Sequence, residues 1–166
     1  MINWVWIFEN IDRFIAVGVI LAGIITFLTG LLPALIRLGN GLAKRKIAIF
    51  ASSNNLNTLT SLLEDSRLFN KKNFIEITNK KDIGRAENIT LLLVYWADFK
   101  DSIETILNSK DDKAALIIYA PYEGGKIPDE MMKKLDEKRH VIVANFRGRL
   151  LNDLVTSMIT TSYENN

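Results

Sequence analysis

Four short polar stretches carry the side chains best suited to binding a ligand, and each follows a short apolar run. They supply hydroxyls and an amide, then aromatic rings, then cations: Ser52, Ser53 and Asn54; Tyr95 and Trp96; Tyr122 and Lys126; Asn145, Arg147 and Arg149. Hydroxyls and main-chain amides at helix N-termini bind phosphates, aromatic faces stack on bases, and guanidinium groups pair with phosphate oxygens. Together these residue types predict a nucleotide pocket.

Each part of this pattern also has a purely structural explanation. Ser52 or Ser53 suits a helix cap, whereas Tyr95 and Trp96 suit packing in the core or at the end of a sheet. The sharpest feature is Arg147-Gly148-Arg149. Two arginines at a strand-to-helix turn place positive charge where the helix dipole already favours an anion, although a solvated loop is the alternative.

The sequence lacks the signatures of most enzymes. It has no phosphate-binding loop of the G-x-x-x-x-G-K-[ST] type, no G-x-G-x-x-G after the first strand and no G-x-S-x-G. The absence of cysteine excludes thiolate metal sites and a cysteine nucleophile. The single histidine, His140, precedes a predicted strand, and Glu123 is a lone carboxylate in a glycine-rich loop. We therefore expect no catalytic residues, no cofactor and no metal.

The elements that position the polar stretches are five apolar runs separated by helical patterns. Strands are predicted at 47–51, 74–78, 89–96, 114–119 and 140–145. Helices are predicted from the Ser52–Asn55 turn to about Phe69 and over 98–109, 128–139 and 149–162, with a short helical or irregular crossover at 80–88. This alternation predicts an α/β domain with a mostly parallel, Rossmann-like sheet in the flavodoxin-like order. In such a sheet, ligands bind beyond the carboxyl ends of the strands, where the polar stretches lie.

The longest apolar run is Phe14–Ile36, twenty-three residues without a charged side chain. As a helix it reaches about 34 Å, enough to cross the hydrocarbon core of a bilayer. The predicted organisation is an interfacial segment at 1–13, a transmembrane helix at 14–38, a basic linker at 39–46, the α/β domain at 47–162 and a tail at 163–166. A core helix and a cleaved signal peptide are the alternatives, but a signal peptide needs a basic start and a shorter apolar core.

The flanks of this run predict its orientation. Trp4, Trp6 and Phe8 precede it, as aromatic side chains do at a membrane interface. A cluster of basic residues follows it: Arg37, Lys44, Arg45 and Lys46. Because basic flanks stay in the cytoplasm, we expect a single-pass protein of the inner membrane with its N-terminus outside and its C-terminal domain inside.

Small residues recur every four positions within the run, at Gly18, Ala22, Thr26 and Gly30. This spacing lets helix backbones approach closely in lipid and predicts a homo-oligomer, such as a tetramer. The alternative is that small residues are simply common in membrane helices. Pro33 predicts a kink, and Gly39-Asn40-Gly41 predicts a break before the linker.

The predicted first strand is followed by Ser52-Ser53-Asn54, and the last by Asn145-Phe146-Arg147-Gly148-Arg149. With an apolar helix ahead of a compact α/β domain, this arrangement resembles small prokaryotic antiviral membrane effectors that have a CARF-like Rossmann sensor domain. The resemblance is architectural and covers about 100 residues. Such domains often have two adjacent glycines in the later turn, where this chain has one. The resemblance implies a pore or membrane-disrupting oligomer controlled by a nucleotide or short oligonucleotide. The alternatives are a membrane-tethered TIR-like enzyme that cleaves NAD or nucleotides, and a non-enzymatic anchor that recruits a partner.

Overall fold

The computed structural model describes residues 10–33, 35, 39 and 45–162, and the chain forms two compact units, Met1–Gly39 and Asn40–Asn166. In the first unit, helix α1 (Ile11–Thr26) continues into a wider π-type turn, Phe27–Leu31. The most apolar 18-residue window of this helix has a mean hydropathy of 2.5 and none of it is buried, unlike the core helix of a soluble protein. The part of the chain that the structure describes therefore has one helix, near the N-terminus, that is long and apolar enough to cross a membrane. The predicted interfacial aromatic residues lie outside the described residues.

The wide turn has a local cause in the sequence. Pro33 has no N–H, and its ring clashes with the carbonyl four residues earlier, so the regular hydrogen-bond ladder cannot pass through it unchanged. The N–H of Leu32 instead reaches back five residues to the carbonyl of Phe27. Pro33 was predicted to kink the helix, and the chain widens just before it. Of the predicted glycine break, Gly39 is helical, whereas Asn40 and Gly41 lie outside the described residues.

The second unit is built on a five-stranded parallel sheet in the order β2-β1-β3-β4-β5, which is the flavodoxin-like order. The strands are β1 (Ile47–Phe50), β2 (Phe74–Ile77), β3 (Leu91–Tyr95), β4 (Ala115–Tyr119) and β5 (Val141–Ala144). The predicted α/β class is confirmed. Winding reverses between β1 and β3, which are paired from Ile47 with Leu91 to Phe50 with Val94.

The strands alternate their side chains between two cores, one on each face of the sheet. Helices α2 (Ser53–Asp65) and α6 (Arg147–Ser162) cover one face, to which β1 contributes Ile47 and Ile49. Helices α3 (Trp96–Phe99), α4 (Ile103–Ser109) and α5 (Asp129–Asp136) cover the other. Because both faces are covered, the central strands read as continuous apolar runs.

Several element boundaries differ from the sequence prediction for local reasons. Helix α2 ends at Asp65 rather than near Phe69, because Arg67 adopts a left-handed conformation with φ of 56°. The predicted helix at 98–109 begins earlier, as α3, and passes through a 3-10 turn, Lys100–Ser102, before α4. Buried side chains there recur at roughly three-residue spacing, which suits the tighter turn. The 80–88 crossover is a 3-10 helix, Lys80–Ala86.

Helix α6 runs from the carboxyl ends of the strands back to their amino ends. It begins just after β5, at the carboxyl edge, and its last turn lies beside the start of β1, where Arg45 Nη1 donates to Thr161 Oγ1 at 2.8 Å. One face of α6 buries polar side chains at four-residue spacing, Asp153, Ser157 and Thr161. The point at which the chain enters the α/β unit is therefore fixed to the end of α6.

Candidate functional site

A pocket of about 950 Å³ opens at the carboxyl ends of β4 and β5. This volume is in the range of sites for small molecules. Three of the predicted site residues, Tyr122, Lys126 and Asn145, line it. The remaining lining is mainly apolar and comes from the loops that follow β4 and β5, from β5 itself and from α5: Ala120, Pro121, Gly125, Ile127, Met132, Val143 and Phe146.

Aromatic rings project at the mouth of this pocket. Tyr122 is 99% exposed and Phe146 is 72% exposed, which is unusual for side chains of this size. The loop that carries Tyr122 turns through Gly125, whose φ of 84° favours glycine. Lys126 forms an exposed ion pair with Asp129, with Nζ and Oδ1 2.9 Å apart. The mouth thus combines open aromatic surface with a cation.

The N-terminus of α6 lies at the same place. The carbonyl of Phe146 accepts hydrogen bonds from the N–H groups of Arg149 and Leu150, so Phe146 is the residue that caps the helix. Its side chain has no oxygen to accept from the first turn. The N–H groups of Arg147 and Gly148 therefore have no helical acceptor, and the positive end of a 16-residue helix faces this edge. Arg147 is exposed beside it.

The second arginine of this turn has a structural partner. Arg149 is the third residue of α6, not part of a turn before it, and its Nε lies 3.2 Å from Oδ2 of Asp153. The Asp153 side chain is only 9% exposed. Arg149 thus compensates a buried carboxylate, and of the two predicted arginines Arg147 alone is left facing solvent without an ion pair within the described residues.

The switch point between β1 and β3 is occupied by a carboxylate that the sequence analysis did not single out. Asp98 Oδ2 accepts from the N–H of Ser52 at 2.7 Å, and both Asp98 oxygens accept from Asn55 Nδ2, at 3.1 and 3.0 Å. Asp98 therefore takes the place of an anion at the N-terminus of α2. Ser52, Ser53 and Asn54 are exposed there, but a phosphate would meet this negative charge.

The predicted aromatic pair separates into two environments. Trp96 is 4% exposed and belongs to the core under α3, so it presents no open ring face to a ligand. Tyr95 is half-buried, and its ring packs edge-on against Tyr119 with centroids 5.8 Å apart. Burial raises the pKa of both tyrosines, while the charge of Arg147 lowers that of Tyr119. Arg147 is therefore close enough to Tyr119 to act on it electrostatically.

Three contributors to this edge were missed in the sequence. Asp98 is three residues beyond the end of β3, and Tyr119 is the last residue of β4. Phe146 stands directly before the arginines but reads as an ordinary apolar residue of a turn. The sequence indicated that all three residues lie near predicted strand ends. For Asp98, however, it showed only a single carboxylate, and no neighbouring residue indicated its role.

Within the described parts of the chain, no group of three or more histidine, aspartate or glutamate side chains is placed to hold a metal ion. Comparison of the chain with protein-family models, with curated proteins and with solved structures found no match.

Proposed function

We propose that this chain is a membrane-anchored effector that binds a nucleotide or short oligonucleotide in the pocket at the carboxyl ends of β4 and β5. The observation that supports this most is the pocket itself, since it combines apolar walls, exposed rings of Tyr122 and Phe146, and a cation, Lys126. A base has two aromatic faces on which to stack, and its phosphates have Arg147 and the free N–H groups of α6.

The pocket is proposed instead of the β1–β3 switch point for an electrostatic reason. Asp98 already accepts the hydrogen bond that a phosphate would take at the N-terminus of α2. At the N-terminus of α6 the nearby carboxylate is Asp153, and it pairs with the side chain of Arg149 rather than with a main-chain N–H. The ligand's negative charge is therefore better matched at α6 than at Ser52–Asn54.

The apolar helix supports the other half of the proposal. In the proposed arrangement, helix α1 and the π-type turn span the inner membrane, and the α/β unit lies in the cytoplasm. Copies of the helix associate through Gly18, Ala22, Thr26 and Gly30. Bound ligand controls an ion channel or membrane-disrupting pore by favouring one arrangement of the oligomer over another. On the architectural resemblance to antiviral effectors, we propose that this activity belongs to prokaryotic defence.

The test uses the purified full-length protein in lipid nanodiscs and a panel of mononucleotides, dinucleotides and short linear or cyclic oligonucleotides. Binding is measured by calorimetry, and each ligand is recovered afterwards to detect turnover. Phe146→Ala should weaken binding by about tenfold or more, because stacking on one base contributes about 1–3 kcal/mol. Arg147→Ala should weaken it by a similar factor, because a hydrogen bond to a charged group contributes about 1.5–3 kcal/mol. Lys133→Ala, which removes an exposed cation of α5 that does not line the pocket, is the matched control. No binding by any member of the panel, or equal losses in all three variants, would exclude this site.

A further inference from the structure

The membrane helix contains a main-chain carbonyl that its own helix cannot satisfy. In a regular helix the carbonyl of Leu28 would accept from the N–H of Leu32, but that N–H donates to Phe27. The residue one position further is Pro33, which has no N–H. The Leu28 carbonyl is thus left without a main-chain donor at either α or π spacing.

This carbonyl lies deep within the apolar run. Leu28 is fourteen residues from Phe14 and eight from Ile36, or about 21 Å and 12 Å at 1.5 Å per residue. An unsatisfied carbonyl in hydrocarbon costs several kcal/mol, so exposed main-chain groups are found at this depth only where protein or water meets them.

A second copy of the same helix has no free donor to offer. Between residues 14 and 33 only Thr26 and Thr29 have side chains that donate hydrogen bonds. Both hydroxyls already donate within their own helix, Thr26 to the carbonyl of Ala22 at 2.9 Å and Thr29 to that of Ile25 at 2.7 Å. Protein donors are therefore used up at this level of the helix, and water remains.

We propose that water reaches the Leu28 carbonyl inside the membrane, and that the π-type turn lines an aqueous path enclosed by several copies of the chain. This deepens the proposed function and rests on the membrane insertion assumed there. Gly30, two residues away, has no side chain to cover the main chain, and a Cβ placed there would meet no atom within 4 Å apart from the neighbouring backbone of its own helix. A ring of carbonyl oxygens, one from each copy, is a set of ligands suited to water and hydrated monovalent cations.

The absence of native cysteine allows a direct test on the full-length protein. One cysteine is placed in turn at each position from 24 to 31, and each variant is reconstituted in phosphatidylcholine and phosphatidylglycerol vesicles. A charged, membrane-impermeant thiosulfonate then reports water, since only a hydrated thiol forms the thiolate that reacts. We expect at least one position to react about tenfold or more faster than the slowest position of the scan, which faces lipid.

Pro33→Ala is made in each of these variants because it supplies the missing N–H. A donor at residue 33 satisfies the carbonyl, and the ratio of the fastest to the slowest thiol reaction rate should fall toward one. Resistance to alkaline extraction confirms that each variant is inserted. Uniformly slow thiols in the inserted protein, or fast thiols that Pro33→Ala leaves unchanged, would overturn the inference. Uniformly fast thiols in protein that alkali extracts would instead show that the proposed membrane insertion fails.

Discussion

Replacing Arg149 with alanine separates the structural arginine of the α6 turn from the one proposed to bind ligand. The substitution leaves the Asp153 carboxylate, with its side chain 9% exposed, without its cation. Breaking a fully buried pair costs about 3–5 kcal/mol, whereas an exposed pair contributes about 0–1 kcal/mol. Since the Arg149 side chain is 64% exposed, solvent screens the pair, and we expect a loss of about 1–3 kcal/mol.

The lack of other partners for the Asp153 carboxylate supports the upper part of this range of free energies. Asp153 Oδ2 makes no hydrogen bond within the described residues, so the guanidinium is its main compensation. Asp153→Asn removes the charge that needs compensation. The double variant Arg149→Ala/Asp153→Asn should therefore be more stable than the Arg149→Ala single variant, a coupling that a double-mutant cycle measures.

The assay is urea-induced unfolding of the α/β unit in the full-length protein in detergent, followed by tryptophan fluorescence and far-ultraviolet circular dichroism. Arg147→Ala, which removes an exposed arginine two residues earlier on the same helix, is the matched control and should unfold within about 0.5 kcal/mol of the parent. Equal unfolding midpoints for Arg149→Ala, Arg147→Ala and the parent would refute the structural role of Arg149.

Two further predictions concern the carboxyl edge of the sheet. Asp98→Ala should destabilise the α/β unit by about 1–2 kcal/mol, because the N-terminus of α2 loses a charged hydrogen-bond acceptor. The control is Asp101→Ala, which removes the exposed ion pair between Asp101 and Lys80. It should cost under about 0.5 kcal/mol in the same urea assay. A smaller loss for Asp98 than for Asp101 would contradict the capping role. Arg147→Ala should raise the pKa of Tyr119 further and leave that of Tyr95 unchanged, as followed by tyrosinate absorbance. Since burial raises the pKa of Tyr119 above its unfolded value of about 10, its contribution to stability is complete below that pH and is lost as the pH rises further. An unchanged Tyr119 titration would remove Arg147 from this edge.

The sequence was sufficient to predict the fold because its strands and helices have strong local patterns. The run Ile47–Phe50 is apolar without interruption, as expected for a strand buried on both faces. The alternation of five strand patterns with helical patterns predicted the parallel sheet in its observed order. The predicted ends of the helices and strands were less accurate. An end such as that of α2 depends on the left-handed conformation of one residue, Arg67, which hydrophobic periodicity cannot predict.

The candidate site was predicted only in part, because residue type does not reveal which partners a side chain already has. Tyr122, Lys126 and Asn145 do line one pocket. Trp96 is held in the core, and Arg149 is paired with a residue one helical turn away. The ligand-binding roles of Ser52, Ser53, Asn54 and the pocket residues remain predictions.

Hydrogen–deuterium exchange of the full-length protein in nanodiscs tests the central claim most directly, with and without a nucleotide or oligonucleotide from the binding panel. The proposed site predicts slower exchange in the main-chain amides of 120–127 and 143–149, with 52–56 unchanged. Protection of 52–56 without protection of the other two segments would place the ligand at the β1–β3 switch point and contradict this account.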